Sequence, residues 1–376
     1  MPTFLFNRRW AKVLFSTIIF TLVLLFYYRL ENGRHIIHEI AFDAVAKGFK
    51  IDAFGFMAIP EAEEYCRAHK WKPYPERSTR RKVYDLFMMN TELDWLEIRL
   101  NELKDHVDYF VILESASTFT GLPKPLYLKD NWEQFSAFHD QIIYQVLNDT
   151  GFYSTITWDH EDLQRNAMFN QVFPNLSGEQ QASLGDVILV SDIDEMPRPA
   201  ALQVLRNCQY PRRLTLRSRF YYYSFQWLHR GAQWPHPQAT IYEGDKTIRP
   251  ANLRNGEGGN IIQIQLDKAD LWNAAWHCSF CFATLEGMIN KISSFSHTRL
   301  NRPEFRDPEG VIRRVRNGLD LFDRKNEYYD RVESNADIPK YMETHKDQFS
   351  YMLDRDPSNA NFRDYNIPSG EAVTVS

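Results

Sequence analysis

Asp186-Val187-Ile188-Leu189-Val190-Ser191-Asp192-Ile193-Asp194-Glu195-Met196-Pro197 is the stretch on which the reading of this chain turns. Four consecutive apolar residues predict a short buried strand, and Pro197 ends it. Asp192 and Asp194 stand one residue apart where the strand gives way to a loop, with Glu195 as a third carboxylate. In open α/β sheets, ligands bind at the carboxyl ends of the strands. Carboxylates at i and i+2 of an extended segment face the same way. The pair therefore suits a hard cation, Mg²⁺ or Mn²⁺, held against a diphosphate. The plain alternative is a strand followed by an acidic turn.

The flanking pattern supplies an α/β frame. Residues 83–89 read as a strand, 93–103 as a helix with apolar residues at helical spacing, and 107–113 as a second strand. That order forms a βαβ unit and implies a parallel sheet. Further strands are expected at 141–147 and across the aromatic block 214–227, and helices at 161–173, 200–208 and 286–296. The three glycines of 254–260 mark a loop.

The net charge of -5 and a pI near 6.1 lack the basic footprint of a nucleic-acid binder. At the amino terminus, 13–28 is uncharged, with Arg8, Arg9 and Lys12 before it and Arg29 after it. At helical rise this stretch spans roughly 24 Å against a hydrocarbon core of ~30 Å. Trp10 and Tyr27-Tyr28 extend it as interfacial anchors. No small-x-small site follows, which favours an uncleaved signal anchor over a signal peptide. The predicted organisation is a cytosolic tail 1–12, a transmembrane anchor 13–29, a stem 30–80 with an amphipathic helix at 34–49, a lumenal domain 81–345 and a tail 346–376, disordered past Asp354. A short span suits early-secretory membranes.

Cys66, Cys208, Cys278 and Cys281 allow three pairings in an oxidising lumen. Cys278-Ser279-Phe280-Cys281 has the spacing of a zinc half-site, but no second Cys-x-x-Cys completes it. Asn148-Asp149-Thr150 and Asn175-Leu176-Ser177 are glycosylation sequons.

A diphosphate-leaving reaction also needs a group that deprotonates the attacking hydroxyl. His277 in Trp276-His277-Cys278 could ligate a metal as neutral imidazole, or be a hydrogen-bonded core histidine. Glu286 opens a helix, as a catalytic carboxylate or as a first-turn residue that favours the helix dipole. Arg165 is a candidate for phosphate, or a surface arginine.

Four ordered blocks carry a family resemblance: Val83-Tyr84-Asp85-Leu86-Phe87 with Asn90-Thr91-Glu92-Leu93-Asp94-Trp95-Leu96-Glu97-Ile98-Arg99-Leu100; Phe110-Val111-Ile112-Leu113-Glu114-Ser115 with Thr118-Phe119-Thr120-Gly121 and Lys124-Pro125-Leu126; Ser191-Asp192-Ile193-Asp194-Glu195-Met196-Pro197; and Trp276-His277-Cys278-Ser279-Phe280-Cys281-Phe282. In this order they resemble glycosyltransferase family 17, the β-1,4-mannosyl-glycoprotein β-1,4-N-acetylglucosaminyltransferases that add bisecting GlcNAc, with the style of a fungal-type member. The resemblance implies a type II Golgi enzyme of α/β, GT-A-like fold with a central mainly parallel sheet. It implies inverting transfer from UDP-GlcNAc to a glycan or glycoprotein acceptor with a divalent metal, Mn²⁺ foremost. Asp192 and Asp194 would be the metal–diphosphate carboxylates and His277 a further metal candidate. Glu92, Glu114 and Arg165 are candidates for the donor pocket, and Glu286, with Asp270 behind it, for the base. Two readings compete. In a haloacid-dehalogenase-type phosphatase Asp192 would be the nucleophile, but that motif does not carry Met196 at its position. In a membrane-anchored lectin or inactive scaffold, the aromatic block 220–227 would stack glycans without turnover.

Overall fold

The computed structural model describes residues 15–23, 57, 59–75 and 79–365. Two units divide the chain, 1–49 and 50–376. In the first, 15–23 form a helix with exposed side chains. The remainder of the expected 13–29 anchor and the expected helix at 34–49 lie outside the described residues. Among the described residues, no helix is long and apolar enough to cross a membrane.

In the second unit, four strands run parallel in the order β3-β2-β1-β4: β1 (Val83–Met89), β2 (Tyr109–Glu114), β3 (Ile142–Val146) and β4 (Val187–Asp192). β1, β2 and β4 are buried on both faces, as their near-continuous apolar runs require, and β3 is the half-exposed edge. Helix α1 (Ile59–Ala68) precedes the sheet. Helix α2 (Leu93–Leu103) joins β1 to β2, and α3 (Thr157–Asn170) lies between β3 and β4. Ala167, Met168 and Phe169 of α3 pack on Leu86, Val111 and Val190. This topology brings the carboxyl ends of β1, β2, β3 and β4, and hence Asp192, to one edge.

Past β4 the sheet changes direction. β5 (Glu195–Pro197), α4 (Pro199–Asn207), β6 (Arg213–Tyr222), β7 (Ser224–His229), β8 (Gln238–Ile241), α5 (Pro250–Asn255) and β9 (Lys268–Ser279) follow in the chain. β8 pairs antiparallel with β4 and with β6, and β7 pairs antiparallel with β6. β9 runs parallel to β6 and antiparallel to β5, which sets His277 opposite Glu195. The architecture is α/β with one ten-stranded sheet, but that sheet is mixed rather than mainly parallel.

The expected single strand over 214–227 is two strands. Tyr223 sits at φ +66, a left-handed conformation that breaks the extended run. Nor does this aromatic block offer a glycan-stacking face. Tyr222, Tyr223 and Trp227 are buried with Phe280, Phe282 and Met288. That core also receives α6 (Leu285–Ser294), α7 (Pro308–Asn317) and Tyr329 of the edge strand β10 (Tyr329–Arg331).

Both ends of the expected domain move outward. Part of the expected stem is integral, because Cys66 of α1 is bonded to Cys208 and Lys72–Pro73 pair with Cys208–Gln209. The expected disordered tail is packed as far as it is described. Arg355, fully buried, donates to the carbonyls of Tyr223, Phe282 and Ala360, and Phe362 is buried beside it. The other two cysteines, Cys278 and Cys281, are joined to each other, so no zinc half-site remains.

The Cys66–Cys208 bond closes a loop of 142 residues, a long loop for which loss of the crosslink releases much chain entropy. Replacing both cysteines by serine is expected to lower unfolding stability by about 2–5 kcal/mol in denaturant melts. An unchanged midpoint would show that strand pairing and packing alone fasten α1.

Candidate active site

Beneath the acidic turn lies a buried arginine. Arg99 of α2 grips Asp85 of β1 with two bonds, Nε to Oδ2 at 2.8 Å and Nη2 to Oδ1 at 2.7 Å, and both side chains are fully buried. Its remaining hydrogens go to Ser191 Oγ (2.6 Å) and to the carbonyls of Asp192, Ile193 and Glu195 at 3.1–3.2 Å. Three carbonyls of one tight turn thus converge on a single guanidinium, which fixes how the turn presents its carboxylates.

The carboxylates do not face one way. Asp192 is the last residue of β4, whereas Asp194 lies in the turn before β5. Asp192 Oδ1 meets Arg165 Nη2 at 2.8 Å and Oδ2 meets Arg254 Nη2 at 2.7 Å. Asp194 Oδ2 instead accepts from Lys291 Nζ of α6 at 2.7 Å, and Lys291 also stands 3.5 Å from Glu92 Oε1. Glu195 is fully buried. Its Oε2 accepts from Arg254 (2.7 Å) and from the Asp192 N–H (2.9 Å), and its Oε1 accepts from Trp234 Nε1 (2.7 Å) and Arg254 (2.9 Å). Glu161 holds Arg165 from one helical turn away and accepts a hydrogen bond from Ser296.

Charge pairing outweighs burial at these groups. Burial pushes the Asp192 carboxyl up, but Arg165 and Arg254 hold it below the usual range. Glu195 is likewise held well below by Arg254, against burial. Lys291 is raised, because Asp194 and Glu92 overcome the cost of burying its ammonium. Burial pushes the His277 imidazole down, so the ring favours its neutral form. His277 Nδ1 lies 3.8 Å from Glu195 Oε1 and makes no hydrogen bond among the described residues, while its ring stacks on Trp234.

This arrangement does not fit the metal site expected from sequence. Among the described residues, no group of three His, Cys, Asp or Glu side chains is placed to hold an ion. Asp192 and Glu195 spend their oxygens on guanidinium groups, and a cation would compete with Lys291 for Asp194. The residues do gather three positive side chains, Arg165, Arg254 and Lys291, around the acidic turn. Such a set can take a diphosphate through charge-assisted hydrogen bonds.

The remaining candidates separate. Glu92 and Glu286 line one cavity of about 390 Å³ with Thr91, Tyr127, Thr284 and Asn290. Glu286 is exposed at the start of α6, whose first N–H groups, those of Leu285 and Glu286, are capped by Asp364. Glu114 is corrected to a support. Fully buried, it accepts from the N–H groups of Leu128 and Lys129 and from Tyr144 Oη, leaving no face for a donor. Asp270 is corrected as well. It is bonded to Arg217 near the far end of β9, where it pairs with Thr215 while His277 pairs with Phe220, five residues and roughly 17 Å along β6. The phosphatase reading fares no better, because the Asp192 oxygens proposed as nucleophile are both engaged by arginine.

Removing the buried Arg99 charge while keeping its bulk, Arg99→Met, is expected to cost about 3–5 kcal/mol of stability by leaving Asp85 unpaired. A loss below about 1 kcal/mol in urea titration would show that the turn does not depend on this pair.

Comparison with known proteins places the sequence in a family. The sequence profile of Glycosyltransferase family 17 matches residues 7–359. The proteins named beta-1,4-mannosyl-glycoprotein 4-beta-N-acetylglucosaminyltransferase from Rattus norvegicus and Homo sapiens are each 26% identical over 328 residues. The match covers 79% of this chain and 59% of theirs, so the chain spans little more than half the length of these relatives. Among solved structures, a mannosyltransferase from Pyrobaculum calidifontis, in complex with GDP-Man and Mn2+, aligns over 74% of this chain and 75% of its own. The TM-score of 0.32 and 10% identity are too low to bear on ligand or reaction.

Proposed function

The chain belongs to glycosyltransferase family 17, and from that premise we propose that it transfers N-acetylglucosamine from UDP-GlcNAc, with inversion, to a β-linked mannose of an N-glycan core. The observation that carries this reading is the juxtaposition of Arg165, Arg254 and Lys291 around Asp192 and Asp194 at the carboxyl edge of the parallel strands. A departing UDP gains negative charge at its diphosphate, and fixed cations placed there lower the barrier without reorganising. The two aspartates orient these cations. The same placement supports a GT-A-like reading of the fold.

Inversion requires a base on the face of the sugar opposite the leaving group. Glu286 is the proposed base. It stands on the helix that also delivers Lys291, and it opens into a cavity large enough for a sugar. In this scheme the acceptor hydroxyl gives its proton to Glu286 as its oxygen bonds to the anomeric carbon, and UDP departs with the electrons of the broken bond. The disulfides Cys66–Cys208 and Cys278–Cys281 support an oxidising, Golgi-lumenal setting.

The test is UDP release from UDP-GlcNAc by the full chain with an N-glycan core acceptor, with and without Mn²⁺. Asp192→Ala and Asp194→Ala are each expected to lower kcat by about 10²-fold or more. Glu286→Gln is expected to lower kcat by about 10²–10⁴-fold with little change in donor KM. Wild-type turnover in either aspartate variant would remove the acidic turn from the reaction. A strict Mn²⁺ requirement would mean that the ion displaces Lys291 from Asp194.

A further inference from the structure

At the entry to α3, a group of apolar side chains stands in solvent: Tyr153 is 86% exposed, Ile156 56% and Trp158 48%. The backbone that carries them is tied down. Ser154 Oγ donates to Asp159 (2.6 Å) and accepts from the Ile156 N–H (3.0 Å), while the Ser154 carbonyl is bonded to the His160 ring (2.9 Å). Large rings held outward on a braced turn, rather than folded in, suit a contact surface.

The position of Trp158 relates that surface to the site. Trp158, Glu161 and Arg165 are spaced i, i+3, i+7 and share one face of α3. Arg165 is the residue on Asp192, and Trp158 stands roughly 10 Å from it along the helix axis. The segment after α6 closes the other side: Ser296 is bonded to Glu161, and the His297 ring meets the Trp158 indole edge-on at 5.2 Å. Glu286 lies at the opposite end of α6, a helix of ten residues and roughly 15 Å. A ligand that reaches both ends of α6 is longer than one sugar.

We propose that Trp158 is a stacking platform for a non-reacting sugar of an oligosaccharide acceptor, which lies along the rim between α3 and α6. The inference rests on the glycosyl-transfer reading for the nature of its ligand. A pyranose presents an apolar C–H face that packs on an indole while its hydroxyls stay hydrated at the rim. His297, edge-on to the ring, and Asp162, at i+4 on the same helix, are the polar residues nearest to it for those hydroxyls.

Calorimetric titration of an N-glycan core oligosaccharide into the full chain tests this without turnover, with UDP binding measured in parallel. Trp158→Ala is expected to weaken glycan binding about tenfold and leave UDP binding within about twofold, while Trp158→Phe keeps most of the glycan affinity. Unchanged glycan affinity in Trp158→Ala overturns the proposal, as does a wild-type chain that binds no glycan. A loss confined to UDP overturns it too, by placing the base of the nucleotide on the indole. Turnover assays separate the two claims: failure to use UDP-GlcNAc refutes the donor assignment whatever the glycan titration gives.

Discussion

The Arg99–Asp85 pair is the interaction on which the site depends. It joins a helix, a central strand and the turn that carries Asp192 and Asp194, using every side of one guanidinium. A buried ion pair of this kind adds little net stability compared with a well-packed apolar pair, because desolvation offsets the attraction. What it supplies here is definition. The carbonyls of Asp192, Ile193 and Glu195 turn inward to a common donor, so their side chains are presented at the sheet edge with little freedom. Preorganisation of that kind lets a polar site act on developing charge without first rearranging.

Above that brace, opposite charges are interleaved. Each carboxylate of the turn carries a side-chain cation, and those cations come from three separate elements: α3, α5 and α6. Buried carboxylates gathered this closely would repel one another and gain protons, whereas the guanidinium groups hold Asp192 and Glu195 ionised. The same cations gather at the carboxyl end of β4, where the diphosphate is proposed to bind. The design differs from a bare acidic pair awaiting a metal, which was the expectation from the motif alone.

Much of the frame was legible in the sequence because its signals are local. Leu93–Leu103 forms a helix over the expected residues, where apolar side chains recur at helical spacing, and the strands at 83–89 and 187–190 follow from unbroken apolar runs. Lys268–Ser279 was not legible as a strand, since its pairing with β5 and β6 organises a run without clear alternation. The site divides in the same way. Asp192, Asp194 and Arg165 could be nominated from motif and chemistry, but Arg254 and Lys291 reach the turn from 62 and 97 residues away. Nothing near either residue in the chain marks it, and only the fold brings them together. Glu114 misled for the converse reason: a carboxylate at a strand end can serve the next loop's N–H groups as readily as a ligand.

The central claim is that the interleaved cluster at the end of β4 receives the nucleotide diphosphate. The most direct measurement is a crystal structure of the chain with UDP bound. The account predicts diphosphate oxygens within hydrogen-bond reach of Arg165 and Arg254 and next to Asp192, with the Arg99–Asp85 pair unmoved beneath the turn. Nucleotide bound at any other edge of the sheet, with Arg165 and Arg254 still closed on Asp192, would contradict it.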